Sequence, residues 1–215
     1  MSTGGNKRGK YLGFVAHEIK NPLATALWSC DLIKRMDSTD RAGERAEKMV
    51  DASLRALRRM RRLIDDYFTI ERLLEHGYDL KREQLELKDL IAQTVQLLHD
   101  KDAIATEGWS LELEGARVSG DGEMLKRGLR ALLEHFARAS PKPRLIVQAR
   151  PGETGCQLSI RADLPPQPVV PPPPEDRNSG DPQGAVLGYL LAEKILEAHG
   201  ATLKEQDGGL LITFQ

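Results

Sequence analysis

Along the first third of the chain apolar residues recur at intervals of three and four, and the pattern changes near Gly77. From about Tyr11 to Met36, Leu12, Val15, Ile19, Leu23, Ala26, Cys30 and Ile33 share one face of a 3.6-residue period, which predicts a long amphipathic helix. Asp37, Ser38, Thr39 and Asp40 then supply turn and N-cap chemistry. A second run, Ala46, Val50, Ser53, Leu57, Met60, Ile64 and Tyr67, predicts a second long helix ending near Gly77. Two long helices joined by a short loop make an antiparallel hairpin, here over residues 10–77. A lone hairpin cannot cover both flanks of its apolar stripe, so pairing of two copies into a four-helix bundle is expected. Periodicity alone supports a purely structural coiled-coil dimer as well.

Beyond Gly77 the texture alternates between the two periods. Leu80 to Leu87 and Ser110 to Glu114 read as strands, and Lys88 to His99 and Gly122 to Ser140 as helices. Arg144 to Arg150 and Gln157 to Ala162 form a strand pair around Pro151-Gly152, followed by a helix from Ala185 to His199 and a closing strand from Leu210 to Phe214. The fold class is α+β: a helical hairpin, then over residues 78–215 a sandwich with one sheet covered by helices on one face. The stretch 164–182, with Pro171 to Pro174, is expected to be an extended, loosely ordered loop, and residues 1–9 a disordered N-terminus.

Composition narrows the function classes. The 215 residues carry 31 basic and 32 acidic side chains, a formal net charge of -1, so nothing global attracts nucleic acid or an anionic membrane. No stretch approaches the roughly 18 apolar residues of a membrane span, and no signal peptide is visible, so a cytoplasmic location is expected. Cys30 and Cys156 lie far apart without metal-ligand spacing, which argues against a disulfide framework or thiolate metal site. Arg55, Arg58, Arg59, Arg61 and Arg62 form a dense basic run, but without aromatic platforms or a reading motif it is a solvated face or a surface for an acidic protein.

The chemistry sits in Phe14-Val15-Ala16-His17-Glu18-Ile19-Lys20-Asn21-Pro22-Leu23. On a helix His17, Glu18 and Asn21 project from one side of one turn. An imidazole becomes a nucleophile when one ring nitrogen is held protonated and the other left free, and Glu18 can set that tautomer and take up the proton. Pro22 removes a helical N–H and is expected to bend the helix just beyond the histidine. The segment resembles the phosphoacceptor box of sensor histidine kinases. Leu63 to Leu74, with Asp65, Asp66, Arg72 and Leu73, resembles the end of that family's second helix, and the α+β part resembles its ATPase domain. The resemblance implies that His17 is the phosphoacceptor, that Glu18 and Asn21 assist it, and that Glu18-x-x-Asn21 can act as a phosphatase element on a response regulator.

The three boxes that hold ATP in that family are each broken here. Its two asparagines fall on Ala131 and His135, and an imidazole is a poor substitute for the oxygen ligands magnesium requires. Ala162 stands where the adenine-reading acid is expected, with Asp163 one residue out of register and Leu164 and Pro166 at the glycines. In the third box Gly184 and Gly188 remain while Val186 replaces the middle glycine. The degenerate set Ala131, His135, Ala162, Gly184 and Gly188 argues against ATP binding, and no cofactor or metal is expected on the chain. The resulting expectation is a homodimeric histidine phosphotransfer protein of two-component signalling. Its partners are receiver domains of response regulators, which hold the magnesium, and an upstream hybrid histidine kinase. A pseudokinase adaptor or phosphatase, and an active soluble kinase with an unusual nucleotide site, are the alternatives.

Overall fold

The computed structural model describes residues 12–75, 78–102, 104–140, 142–153, 155–163, 184–206 and 208–215. The expectations for residues 1–9 and for the proline-rich stretch 164–182 concern residues that lie, all or nearly all, outside those described. Backbone contacts divide the chain into two compact units that meet between Glu71 and Arg72.

The first unit is a helical hairpin built on α1 (Leu12–Arg35), a single turn α2 (Ser38–Arg41) and α3 (Glu44–Leu74). Asp37 caps α2: its side chain accepts the Thr39 and Asp40 amides, which would otherwise lack partners. Arg41 reaches back to donate to the Met36 carbonyl at 2.9 Å, closing the connection. The helices run antiparallel, because Ser53 Oγ donates to the Ala26 carbonyl at 3.3 Å while Arg59 faces Glu18 further along. Helix α1 continues on both sides of Pro22, whose ring is buried.

The expected apolar stripes divide into two. Val15, Pro22 and Ala26 are buried against Ala46, Ser53, Ala56, Met60 and Leu63. Leu23, Leu27, Val50, Leu57 and Ile64 stay 40% or more exposed, so they form a second apolar face that the hairpin does not cover itself. The single-face reading merged them because positions three and four apart sweep a stripe wide enough to serve two neighbours.

The second unit contains β1 (Glu83–Glu86), α4 (Leu87–Asp102), β2 (Ser110–Leu113), β3 (Arg117–Gly120) and α5 (Gly122–Ala137). It continues with β4 (Leu145–Gly152), β5 (Gly155–Ala162), α6 (Gly184–Ala198), β6 (Thr202–Gln206) and β7 (Gly209–Phe214). Five strands form one mixed sheet in the order β2-β4-β5-β7-β6, with only β2–β4 parallel. The single sheet of the sequence reading is corrected by a separate pair, β1 with β3. Strands β3 and β6 went unread: in Thr202–Gln206 every side chain but Leu203 is exposed, so no apolar alternation marks it. The predicted strand from Leu80 narrows to Glu83–Glu86, since Leu87 already opens α4.

Alternation along the central strands makes the core. Leu145, Val147, Ala149, Leu158, Ile160, Leu210 and Ile212 point inward and meet Leu125, Leu129, Leu132 and Leu133 of α5 and Leu196 of α6. Helix α6 ends at a Schellman turn, in which the Ala201 and Gly200 amides bond the Leu196 and Glu197 carbonyls. Gly200 takes the positive φ of 78° that this turn requires.

Candidate functional site

His17 stands on α1 with its side chain 51% exposed, available to a macromolecular partner. Glu18, the next residue, turns the other way: its side chain is only 7% exposed and lies on the inner side of the hairpin. The sequence reading placed His17, Glu18 and Asn21 together on one side of a turn. The structure keeps His17 and Asn21 at the surface and turns Glu18 inward. Consecutive helical residues diverge by about 100°, so a carboxylate beside the histidine in sequence necessarily approaches its ring from the flank.

That flank position has chemical consequences. Glu18 Oε1 lies 3.9 Å from His17 Nδ1, and Glu18 Oε2 lies 3.8 Å from an Arg59 guanidinium nitrogen on α3. Both separations exceed a direct hydrogen bond, so the interactions are electrostatic in this arrangement. Burial pushes the Glu18 carboxyl above its ordinary value, against the opposing pull of Arg59 and then His17. A carboxylate on the Nδ1 side favours the tautomer with hydrogen on Nδ1, and leaves Nε2 with its lone pair free. Arg59 was noticed in the sequence only as part of a basic run; its pairing with Glu18 depends on the hairpin register, which no local pattern encodes.

Four of the five positions compared above with nucleotide-binding boxes, Ala131, His135, Ala162 and Gly188, pack within the second unit. On α5, Ala131 faces Gly188 of α6 so closely that a Cβ built on the glycine would lie 3.8 Å from the alanine methyl. His135 is buried, edge-on to Phe136 at 5.8 Å between ring centres and 5.2 Å from the Tyr189 ring. Ala162 ends β5 partly buried against the core, while Asp163 is exposed just past the strand end, its amide donating to the Arg144 carbonyl. The acid therefore does not replace the one missing at Ala162. Gly184 opens α6. Thus α5 and α6 bring Ala131, His135 and Gly188 together, but as two apolar surfaces and a ring cluster.

One polar residue the sequence did not single out is His199. Its Nδ1 donates to the Ile195 carbonyl at 2.6 Å, and its Nε2 accepts the Asp121 amide at 3.0 Å. Asp121 in turn caps α5 through the Met124 amide, so the imidazole ties the end of α6 to the start of α5. Burial holds this histidine below its ordinary pKa, and both ring nitrogens are used for structure.

A test follows from Glu18. Because the folded protein binds this proton more tightly than the unfolded chain, stability falls as pH rises from the unfolded value of 4.5 through the raised folded one. The variant Glu18→Gln removes the ionised form. It is expected to melt at a higher temperature than wild type at pH 7, with the difference vanishing at pH 4 and below; an E18Q variant that melts lower at pH 7 contradicts the burial argument.

Comparison with known proteins agrees with the fold. Residues 7–76 match the family model of the His Kinase A (phospho-acceptor) domain. The chain is 24% identical over 212 residues to the sensor protein VanS of Enterococcus faecium, covering 94% of this chain and 54% of that one. It is 27% identical over 205 residues to the sensor protein DivL of Caulobacter vibrioides, covering 88% and 25%. It thus spans about half or less of the length of these curated relatives. The fold is that of Acinetobacter baumannii histidine kinase AdeS, at a TM-score of 0.67 with 17% identity over 91% of this chain and 94% of that one. The histidine kinase ThkA, solved in complex with the response regulator protein TrrA, superposes at 0.60 with 20% identity over 96% and 60%. With a hairpin that matches the His Kinase A phospho-acceptor domain in front of an ATPase-like α/β unit, the chain is similar to the sensor histidine kinases of two-component systems.

Proposed function

We propose that this protein is a histidine phosphotransfer protein that takes a phosphoryl group on His17 from the aspartate of a receiver domain and passes it to another receiver. The observation that carries the reading is a half-exposed imidazole backed by a buried carboxylate, in a chain with Ala131, His135 and Ala162 at nucleotide-box positions. Residues 10–77 act as the dimerisation and phosphoacceptor hairpin, and residues 78–215 as a degenerate ATPase-like domain.

In the transfer step Nε2 of His17 attacks the phosphorus of an acyl phosphate. The N–P bond forms, the P–O bond to the receiver aspartate breaks, and its electron pair leaves with that carboxylate. The ring becomes a phosphorylated imidazolium whose Nδ1 proton faces Glu18, so the carboxylate offsets the charge that develops. The reverse step restores the neutral ring. Magnesium on the receiver supplies the counter-charge for the phosphoryl oxygens. The resemblance to ThkA, which was solved in complex with a response regulator protein, supports a receiver as the partner.

No oxygen or amide side chain stands at Ala131 or Ala162 to meet magnesium or adenine, which supports loss of autokinase activity. The surface position of Asn21 favours a second reading, a phosphatase that orients water at the receiver aspartate. The uncovered face with Leu23, Leu57 and Ile64 supports a homodimer, and among the described residues no helix is long and apolar enough to cross a membrane.

Two measurements check the proposal. A purified receiver labelled with phosphate by a small-molecule donor is expected to transfer the label to wild type and to lose at least a hundredfold in transfer to His17→Ala. Asn21→Ala keeps the transfer but slows net loss of phosphate from the receiver about tenfold, whereas equal labelling of His17→Ala and wild type sinks the reading. Leu57→Asp places a charge on the uncovered face at little cost to the hairpin itself. Sedimentation at micromolar concentration is expected to find wild type dimeric and this variant monomeric, and an unchanged dimer removes that face as the interface.

A further inference from the structure

Arg59 stands on α3, away from the segment that carries the histidine, yet a nitrogen of its guanidinium lies 3.8 Å from Glu18 Oε2. The other carboxylate oxygen, Oε1, lies 3.9 Å from His17 Nδ1. Glu18 therefore bridges the two, with one oxygen toward the ring and the other toward a cation on the opposite helix. It shares the inner row of α1 with Val15 and Pro22, three and four residues away, and both are buried. The charges that act on it are Arg59, on the helix packed against it, and His17 on its own helix. Arg58, Arg61 and Arg62 of α3 and Lys20 of α1 are the further charged residues near that level.

A carboxylate held out of water keeps its charge only where a cation offsets the lost hydration. Its protonation state matters to the ring, because the two forms of Glu18 favour opposite tautomers. The ionised form favours hydrogen on Nδ1 and leaves the Nε2 lone pair free. The neutral carboxyl donates toward Nδ1 instead, which puts the ring hydrogen on Nε2 and blocks it. Arg59 is in reach because of the hairpin register, fixed six residues earlier where Ser53 Oγ donates to the Ala26 carbonyl at 3.3 Å. A slip of one helical turn, about 5.4 Å, would carry the guanidinium away.

We infer that Arg59 is a positioning residue for His17: by keeping Glu18 ionised it holds the ring in the tautomer whose Nε2 can attack phosphorus. The inference rests on the phosphotransfer reading above for the use of that ring. Arg59 acts through Glu18 and not on the phosphoryl group, so its influence disappears when residue 18 cannot ionise. The guanidinium is half-exposed, and water screens it, so the effect is moderate.

The test uses the purified full chain with phosphoramidate as the phosphoryl donor, so that no receiver is needed. Nε2 attacks phosphorus, the N–P bond to the ring forms, the P–N bond of the donor breaks, and its electron pair leaves with ammonia. At pH 7 Arg59→Met is expected to slow labelling of His17 about tenfold, and Arg59→Lys to restore it to within about threefold of wild type. The deficit closes as pH rises and Glu18 ionises unaided. In a Glu18→Gln background Arg59→Met changes nothing. Imidazole nitrogen NMR, with His17 assigned by its absence from His17→Ala, is expected to find the neutral ring protonated on Nδ1 in wild type and on Nε2 in Arg59→Met. Equal labelling of wild type and Arg59→Met at pH 7 overturns the inference and leaves the phosphotransfer reading intact. A deficit that persists in Glu18→Gln, or is the same at every pH, also overturns it, since Arg59 would then act on the donor or the fold directly. So does a wild-type His17 that phosphoramidate does not label. The expected pattern with phosphoramidate, together with no labelling by any phosphorylated receiver, supports the role of Arg59 and removes the phosphotransfer reading.

Discussion

Glu18 is held out of water on the inner side of a helical hairpin while the imidazole it addresses stands in solvent. A carboxylate in that position is under tension. Burial disfavours its charge, and Arg59 and His17 favour it, with burial the larger influence. The balance means that Glu18 can respond when the neighbouring ring gains positive charge, as it would in the proposed transfer step. Nothing comparable surrounds His135 or His199, whose rings are packed or hydrogen-bonded into the second unit. His99 is also exposed, with Nδ1 3.0 Å from Asp100 Oδ1, so it is the hairpin segment, and not exposure or a neighbouring carboxylate alone, that supports His17 as the proposed phosphoacceptor.

The second unit is held together by its own apolar core. Its stability comes from the inward faces of β4, β5 and β7 against α5 and α6, and none of those contacts uses a nucleotide. Residues that pack stand at positions compared with nucleotide-binding boxes: a methyl at Ala131 against Gly188, and an aromatic cluster of His135, Phe136 and Tyr189.

The hairpin, the helices α4 to α6 and the central strands were legible in the sequence because their apolar spacing is long and regular. Strand β6 was not, because an edge strand whose side chains mostly face solvent carries no alternation. The division of the hairpin's apolar residues into an inner and an outer face also escaped: Leu23 and Ala26 obey the same period, and only the position of α3 separates them. At the site, the segment around His17 was fully visible, since its residues are local. The inward turn of Glu18 and its pairing with Arg59 were not, because they join residues on two helices in a register set by Asp37, Arg41 and Ser53.

The central claim is that phosphate comes to His17 from another protein and not from a nucleotide bound by this chain. The most direct measurement is incubation of the purified full chain with millimolar ATP labelled at the γ-phosphate, with magnesium, followed by assay of base-stable, acid-labile label on the protein. The account predicts no label above that of the His17→Ala variant over hours. Label that accumulates on His17 from ATP alone contradicts it and makes the chain a self-phosphorylating kinase.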